Sequence, residues 1–206
     1  MPALLDARRQ AELLAAVRNV VEAAPFYVPK MPRTGKPLSV TMTNAGTLGW
    51  VTDQDGGYRY QPTHPATGRP WPPIPDMLLR LWEWLARYPA PPEACLVNHY
   101  AADAKLGSHV DADEDDTNAP VVSLSLGDDA MFHIGGLKRT DPKTRIRLHS
   151  GDAVVLGGRA RRAYHGIDRI LPLTSDLLPE GGRINLTLRR VTVPTAVTSQ
   201  AGTPSS

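Results

Sequence analysis

The chain has 206 residues, of which 41% are hydrophobic and 21% are charged, with 20 prolines and 17 glycines. This length allows one domain with a sizeable core and is too short for two ordinary domains, and the many turn residues argue against a helical bundle. The formal net charge of +2 gives no case on bulk charge for a polyanion-binding protein, and the single cysteine, Cys95, excludes an internal disulfide and a thiolate zinc site.

The first predicted element is an amphipathic helix over residues 7–24, ended by Pro25. Its apolar positions recur at helical spacing: Leu13, Leu14, Val17, Val20 and Val21. A second helix is predicted over residues 76–88, between Pro75 and Pro89. We interpret both helices as supports for a sheet. The sequence shows neither a basic-then-apolar leader nor a run of about 18 apolar residues, so we expect a cytoplasmic protein with no membrane segment.

Most of the remaining chain is typical of short strands separated by Gly, Pro and Asp. The predicted strands are Leu38–Thr43, Ala94–Tyr100, Val121–Leu126, Ala130–Ile134, Arg145–Leu148, Ala153–Leu156 and Arg183–Arg190. This pattern predicts a double-sheet jelly roll or a barrel. From about residue 195 the chain has no apolar periodicity, and we expect a disordered tail.

The first chemical signal is the sequence His109-Val110-Asp111, followed much later by His165. In an extended strand, residues i and i+2 point to the same face, so His109 and Asp111 can bind one ion. Two histidines and one carboxylate are the protein ligands of oxygen-activating iron(II) centres. A catalytic zinc site has the same signature. A calcium loop starting at Asp111 is excluded, because Asp116 stands where glycine is needed and Val122 where glutamate is needed.

The second signal is the alternation of polar and apolar residues over Arg183–Arg189. It places Arg183, Asn185, Thr187 and Arg189 on one strand face. Two arginines facing inward are costly unless they hold an anion, and a guanidinium matches a carboxylate in a bidentate way. Asn98 and Tyr100 form a second polar face. The alternative is an edge strand whose polar face lies in water.

Charge is distributed unevenly along the chain. Seven acidic residues and no Lys or Arg lie between Asp111 and Asp129, whereas nine Lys or Arg and three Asp lie between Lys138 and Arg169. This separation indicates a basic face beside an acidic pocket, and two ordinary solvated loops are the alternative. The basic block could bind phosphates through Lys138, Arg145, Arg147, Arg159, Arg161 and Arg162.

These motifs resemble the AlkB family of nucleic-acid dealkylases over residues 38–190, about three quarters of the chain. The resemblance rests on the segments Met42–Trp50, Pro70-Trp71-Pro72, Cys95–Tyr100, His109–Asp111, Val122–Gly127, Phe132–Arg139 and Arg183–Arg189. It implies a mainly β fold with flanking helices (α+β) around a double-stranded β-helix, a jelly-roll, cupin-like core. It also implies four parts: an N-terminal helix and linker at 1–37, a nucleotide-recognition lid with a supporting helix at 38–93, a dioxygenase core at 94–191, and a tail at 192–206.

The resemblance implies a role for each site residue. Iron(II) would be held by His109, Asp111 and His165, and 2-oxoglutarate by Asn98, Tyr100, Arg183, Asn185 and Arg189. Arg183 and Tyr100 are expected at the distal carboxylate, whereas the end served by Arg189 is left open. The expected substrate-binding residues are Trp50 and Tyr58 in the lid, Asp113 facing the damaged base, and Arg139 on the nucleic-acid side.

The implied activity is DNA repair by oxidative demethylation of 1-methyladenine and 3-methylcytosine, in DNA and by extension in RNA. The resemblance implies that dioxygen and 2-oxoglutarate are consumed, that formaldehyde and succinate are released, and that the target base is flipped out of the strand. A monomer is expected. Leu156 and Ala45 stand where the bacterial relative has tryptophan and cysteine, and these changes bear on substrate range.

Two other functions stay open at this stage. A 2-oxoglutarate-dependent hydroxylase or demethylase of a protein, lipid or small molecule would share the iron and cosubstrate residues, so only the lid and Asp113 distinguish it. A non-enzymatic nucleic-acid-binding module with a structural metal would need a closed ligand shell of four protein groups, and the sequence offers three.

Overall fold

The computed structural model describes residues 1–195, and helix α1 spans Ala7–Ala23 within them. Asp6 caps this helix by accepting a hydrogen bond from the backbone N–H of Arg9 at 2.8 Å. The buried face of α1 follows the predicted apolar spacing and consists of Leu13, Leu14, Val17 and Val20. The predicted first helix is therefore confirmed.

Helix α2 spans Asp76–Ala86 and ends before the predicted Tyr88. It ends there because Arg87 has a left-handed backbone conformation, with φ at 47°, which cannot continue a right-handed helix. Leu78 and Trp82 form its buried face, and the indole N–H of Trp82 donates to the carbonyl of Ala90 at 3.0 Å. None of the helices in residues 1–195 is long and apolar enough to cross a membrane.

The strands and their order confirm the jelly roll. Two antiparallel sheets face each other, a five-stranded one with the order β1-β4-β11-β6-β9 and a four-stranded one with the order β5-β10-β7-β8. A separate hairpin consists of β2 and β3. The strands are β1 Val40–Gly46, β2 Gly49–Asp53, β3 Gly57–Gln61, β4 Ala94–Tyr100, β5 Leu106–His109, β6 Val121–Gly127, β7 Asp129–Ile134, β8 Thr144–Leu148, β9 Ala153–Leu156, β10 His165–Leu171 and β11 Arg183–Arg189.

The period-two alternation of the central strands divides the five-stranded sheet into an apolar face and a polar face. The apolar face packs under both helices and includes Cys95, Val97, Val122, Leu124, Leu126, Ile184, Leu186 and Leu188. The opposite face points toward the four-stranded sheet and includes Asn98, Ser123, Arg183, Asn185 and Arg189. The helices therefore cover the apolar face of the sheet, and the polar face lines the space between the two sheets.

The structure corrects the sequence interpretation in three places. Strands β2, β3 and β10 were not predicted; β10 includes the charged pair Asp168-Arg169 at a β-bulge, which interrupts its apolar pattern. Strand β5 ends at His109, so Asp111 follows the strand rather than lying in it. The alternative of a solvent-exposed edge strand for Arg183–Arg189 is wrong, because β11 lies between β4 and β6. The predicted tail from residue 196 onward lies outside the described residues.

Candidate active site

A cavity lies between the two sheets, with walls formed by both. It is lined by Asn98, Tyr100, Leu106, His109, Asp111, Val121, Ser123, Phe132, Leu148, Val154, Leu156, His165, Gly166, Ile167, Arg183, Asn185, Thr187 and Arg189. The cavity thus brings together all the residues that the sequence interpretation assigned to iron and to 2-oxoglutarate. Its other walls are mostly apolar, which limits access of water to the polar groups.

The metal-ligating groups meet at one end of this cavity. His109, at the end of β5, is the register partner of His165 at the start of β10, and their ring centroids lie 4.5 Å apart. Nε2 of each histidine lies 3.7 Å from a carboxylate oxygen of Asp111. One ligand atom from each of the three residues fits within 4.8 Å of the others. Two imidazoles and one carboxylate in this arrangement can hold an iron(II) ion and leave coordination positions free.

The backbone sets the tautomer of both histidines. Nδ1 of His109 lies 2.9 Å from the carbonyl of Gly107, and Nδ1 of His165 lies 3.0 Å from the carbonyl of Ala163. Because a carbonyl only accepts hydrogen bonds, Nδ1 must hold the proton in each ring. The lone pair of each Nε2 is therefore directed to the common ligand position.

The surroundings keep Asp111 and His165 in their metal-binding charge states. Burial by itself raises the pKa of Asp111, but the positive charge of the neighbouring Arg189 helps to hold this pKa below its ordinary value. Burial lowers the pKa of His165 more than Asp111 raises it. An ionised carboxylate and a neutral imidazole are the forms that bind a metal.

A buried ion network surrounds Asp111. Arg189 donates from Nη2 to Oδ1 of Asp111 at 2.8 Å and from Nη1 to Oε1 of Glu114 at 2.7 Å. Arg161 donates to Oε2 of Glu114 at 3.0 Å and to the carbonyl of Asp111 at 2.8 Å. Two guanidinium groups thus balance two carboxylates in a space that excludes water. Both Nη atoms of Arg189 therefore already donate hydrogen bonds to carboxylates of the protein.

Arg183 lies at the other end of the β11 inner face and has unused donors. Its Nη2 donates to Oγ of Ser125 at 2.7 Å, while its Nε and Nη1 are buried without a partner among residues 1–195. Burial lowers the pKa of Arg183 to about 10, so the group is charged at neutral pH. Tyr100 is its register partner on β4, and burial raises the pKa of this phenol to about 12.

The donors in the cavity fit 2-oxoglutarate. A buried guanidinium with two unpartnered N–H groups is costly unless a charged acceptor reaches it, and a carboxylate is the acceptor of matching shape. Asn98 and Asn185 are opposite each other in the register between the two ends of the cavity. The amide of Asn185 donates to Oγ of Ser123 at 2.7 Å and to the carbonyl of Leu124 at 3.0 Å, which fixes its orientation.

The predicted substrate-binding residues lie outside the cavity wall. The indole N–H of Trp50 donates to Oδ2 of Asp113 at 2.7 Å, and the ring of Trp50 stacks on Tyr58 with centroids 5.7 Å apart. Asp113 follows the candidate metal ligand Asp111 by two residues, so these contacts hold the β2–β3 hairpin beside the cluster of His109, Asp111 and His165. Arg139 lies over the ring of Tyr164, 5.6 Å from its centroid, next to His165.

The interpretation of the basic block as a phosphate-binding surface is wrong for Arg161, which is buried, whereas Arg145 and Arg147 are exposed but paired with acidic residues. Arg161 is 3% exposed and is bound to Glu114. Arg145 and Arg147 form ion pairs with Asp168 and Asp129. The sequence shows that these three arginines are charged, but it does not show which acidic residues they contact in the folded chain. Among the described residues no ion pair involves Lys138, Arg139, Arg159 or Arg162, and all four are exposed.

Several residues of the site were missed in the sequence interpretation. Ser123 and Ser125 occupy alternate positions of the apolar strand β6, so the pattern Val-Ser-Leu-Ser-Leu was a signal that could have identified them. Glu114 resembled any other member of an acidic loop, yet it is 4% exposed. Tyr60 donates its hydroxyl to Glu114, a contact for which the sequence offers no signal.

Comparison with known proteins gives consistent matches. The family model described as the 2OG-Fe(II) oxygenase superfamily matches residues 1–189. An alpha-ketoglutarate-dependent dioxygenase AlkB homolog of Caulobacter vibrioides (strain NA1000 / CB15N) is 53% identical over 189 residues, which cover 92% of this chain and 85% of the relative. The alpha-ketoglutarate-dependent dioxygenase AlkB of Escherichia coli (strain K12) is 44% identical over 187 residues, covering 87% and 83% of the two chains. The solved structure of OsALKBH1 matches with a TM-score of 0.75 and 31% identity over 92% of this chain and 96% of that one.

Proposed function

This chain belongs to the 2OG-Fe(II) oxygenase superfamily and, within it, to the AlkB family, and on that basis we propose that it repairs N-alkylated nucleobases by oxidative dealkylation. The enzyme class is an iron(II)- and 2-oxoglutarate-dependent dioxygenase. The observation that supports a nucleobase substrate is the hydrogen bond between Trp50 and Asp113 beside the three metal-ligating residues. An aromatic ring and a carboxylate are the groups that recognise a flat cationic base.

His109, Asp111 and His165 would hold iron(II), and 2-oxoglutarate and dioxygen would be the cosubstrates. When bound, iron supplies the oxidising chemistry that hydroxylates the alkyl carbon while 2-oxoglutarate is converted to succinate and carbon dioxide. The hydroxylated group on nitrogen is a hemiaminal, which breaks down to formaldehyde and the repaired base. The protein itself positions the reactants and excludes water.

Arg183 would bind the distal carboxylate of 2-oxoglutarate through its unpartnered Nε and Nη1, with the phenol of Tyr100 beside it. Asn98 and Asn185 would contact the cosubstrate between the two ends of the cavity. Arg189 would serve the metal end through its Nε, since both of its Nη atoms are engaged by Asp111 and Glu114. This division assigns each arginine to one end of the dianion.

The target base would be flipped out of its strand and stacked on Trp50. Methylation at N1 of adenine or N3 of cytosine prevents normal pairing and leaves the base cationic, so extrusion costs less than for an intact pair. Trp50 would contribute stacking and cation–π attraction of about 1–2 kcal/mol. Asp113 would accept a hydrogen bond from the exocyclic amine, and Tyr58 would support the ring of Trp50 from behind.

The flanking phosphates would contact four exposed cations in the two loops beside the metal end, none of which has an acidic partner among residues 1–195. These are Lys138 and Arg139 after β7, and Arg159 and Arg162 in the loop before His165. The backbone N–H of Tyr164 donates to the carbonyl of Gly136 at 2.9 Å, which brings the two loops together beside the metal end. Single-stranded DNA is the proposed partner, with RNA as an extension; a monomeric state and a cytoplasmic location also remain predictions.

The test is formaldehyde release and base restoration from a single-stranded oligonucleotide containing 3-methylcytosine, with iron(II), ascorbate and 2-oxoglutarate present. We expect activity that requires both iron and 2-oxoglutarate and is abolished by His109→Ala. Asp113→Ala should impair base repair far more than 2-oxoglutarate turnover without substrate. Consumption of 2-oxoglutarate with the base left methylated would contradict the nucleobase assignment and leave the oxygenase class in place.

A further inference from the structure

Glu114 is a buried carboxylate outside the wall of the active-site cavity. Its side chain is 0% exposed, and it accepts hydrogen bonds from Arg161, Arg189 and the hydroxyl of Tyr60. Burial raises the pKa of Glu114, but Arg189 and the hydrogen bond from Tyr60 more than offset this effect, so the group is ionised. A charged acceptor that is buried from solvent makes each of these hydrogen bonds strong.

Tyr60 connects this network to the hairpin that includes the lid residues. It lies on β3 directly opposite Trp50 on β2, so both side chains project from the same face of the hairpin. Tyr60 is absent from the residues that line the cavity, and its hydroxyl lies 3.2 Å from Nη1 of Arg189. A residue placed in this way does not touch the reacting atoms, but it sets where the hairpin, and therefore Trp50, lies.

The other end of the network holds a metal ligand. Arg189 bonds Glu114 with one Nη and Asp111 with the other, and Arg161 bonds the carbonyl of Asp111 as well as Glu114. A charge that binds at Asp111 changes how strongly Arg189 interacts with Glu114, because one guanidinium serves both carboxylates. That change reaches Tyr60 through a single further hydrogen bond.

We propose that Tyr60 is a positioning residue that couples the metal site to the lid: through Glu114 and Arg189 it links the geometry at Asp111 to the position of Trp50. Metal binding and binding of a methylated base then strengthen each other. This inference rests on the proposed function for the identity of the base, but not for the link between the metal and the hairpin. The reciprocity is required by thermodynamics, since each ligand must change the affinity of the other by the same factor.

The first test uses Tyr60→Phe, which removes only the hydroxyl. The matched control is Tyr88→Phe. The hydroxyl of Tyr88 also donates to a carboxylate, that of Asp116 at 2.8 Å, but Tyr88 lies two residues past the end of α2 and outside the β2–β3 hairpin. Mn(II) serves as a redox-inert probe, and its affinity is measured by electron paramagnetic resonance with and without the 3-methylcytosine oligonucleotide.

We expect the oligonucleotide to increase Mn(II) affinity by about 5-fold or more in the wild type and in Tyr88→Phe, within the usual range for coupled sites. In Tyr60→Phe we expect a factor near 1, while Mn(II) affinity without the oligonucleotide stays close to that of the wild type. A purely structural role would lower both affinities and preserve the ratio. Retention of the wild-type factor in Tyr60→Phe would overturn the proposal.

The second test needs no nucleic acid. Hydrogen exchange of the β2–β3 amides is measured with and without Mn(II), and protection of residues 49–61 is expected to rise in the wild type and in Tyr88→Phe but not in Tyr60→Phe. Absence of a metal-dependent change in the wild-type hairpin would also overturn the proposal, without reliance on any variant. If the hairpin responds to Mn(II) but the methylated oligonucleotide does not bind, the proposed substrate is wrong and the coupling stands.

Discussion

Nη2 of Arg183 donates a hydrogen bond to Oγ of Ser125 at 2.7 Å, and this bond orients the guanidinium. The other two donor atoms of the group, Nε and Nη1, are buried and have no partner among residues 1–195. We expect Arg183→Lys to raise the KM for 2-oxoglutarate by about 10- to 100-fold, because a lysine cannot grip a carboxylate in a bidentate way and hydrogen bonds to charged groups are worth about 1.5–3 kcal/mol. Kinetics of 2-oxoglutarate turnover measure this change. Arg190→Lys, in a half-buried arginine just past the end of β11 that is paired with Glu93 outside the cavity, should leave the KM unchanged. An equal effect in both variants would contradict the assignment.

His165→Gln should abolish metal binding without unfolding the protein. The substitution removes the imidazole whose Nε2 faces Asp111, while β10 keeps its backbone pairing with β5 and β7. Mn(II) titration monitored by electron paramagnetic resonance gives the affinity. His149→Gln is the control, since this histidine is exposed and its partner is Asp129. Wild-type Mn(II) affinity in His165→Gln would exclude His165 as a ligand.

Mn(II) and 2-oxoglutarate together should stabilise the protein against heat. A ligand at 100 times its Kd stabilises the folded state by about 2.7 kcal/mol, which corresponds to a rise in Tm of about 5–10 °C for a chain of this length. The physical reason is that the cosubstrate neutralises Arg183 and the metal neutralises Asp111. Differential scanning fluorimetry measures the shift, and excess chelator should reverse it. Arg183→Lys should lose the part that depends on 2-oxoglutarate and retain the part that depends on metal.

Arg139→Ala and Arg162→Ala should each weaken binding of a single-stranded oligonucleotide and lower its salt dependence. If each arginine neutralises one phosphate, the slope of log affinity against log salt concentration should fall by about 0.7 per substitution. Fluorescence anisotropy at several salt concentrations gives the slope. Arg8→Ala, which removes a cation paired with Glu12 on α1, should not change it. Unchanged slopes in both loop variants would argue against this phosphate-binding surface.

Leu186→Ala should destabilise the fold by about 2–5 kcal/mol, because this side chain is 0% exposed beneath the helices and its removal leaves a cavity. Urea unfolding measures the loss in free energy of unfolding. Leu173→Ala removes the same atoms from a side chain that is 94% exposed and should cost almost nothing. Metal affinity of folded Leu186→Ala should stay at the wild-type level, since Leu186 points away from the cavity.

Much of the site could be predicted from the sequence because its signals are local. The alternation over Arg183–Arg189 depends only on the pleat of a strand, and it assigned Arg183 and Asn185 to one face before any partner strand was known. The spacing of His109 and Asp111 likewise brought two ligands together, although the strand ends at His109. The strands that were missed, such as β10, have interrupted apolar patterns and are held in place by pairing with distant segments.

The sequence by itself therefore determined the alternating strands, the first helix and the types of residue at the metal and cosubstrate positions. Only the tertiary structure decided which charges meet. Arg161 and Glu114 are separated by 47 residues, and Arg189 and Asp111 by 78, so no local pattern relates them. The sequence does not show whether a charged side chain is exposed to solvent or buried. The two cases differ in the partner of the side chain, because a charge is tolerated in the interior only where an opposite charge pairs with it. That is why Arg161 appeared to belong to a phosphate-binding surface, whereas the structure shows it buried and bonded to Glu114 and to the carbonyl of Asp111.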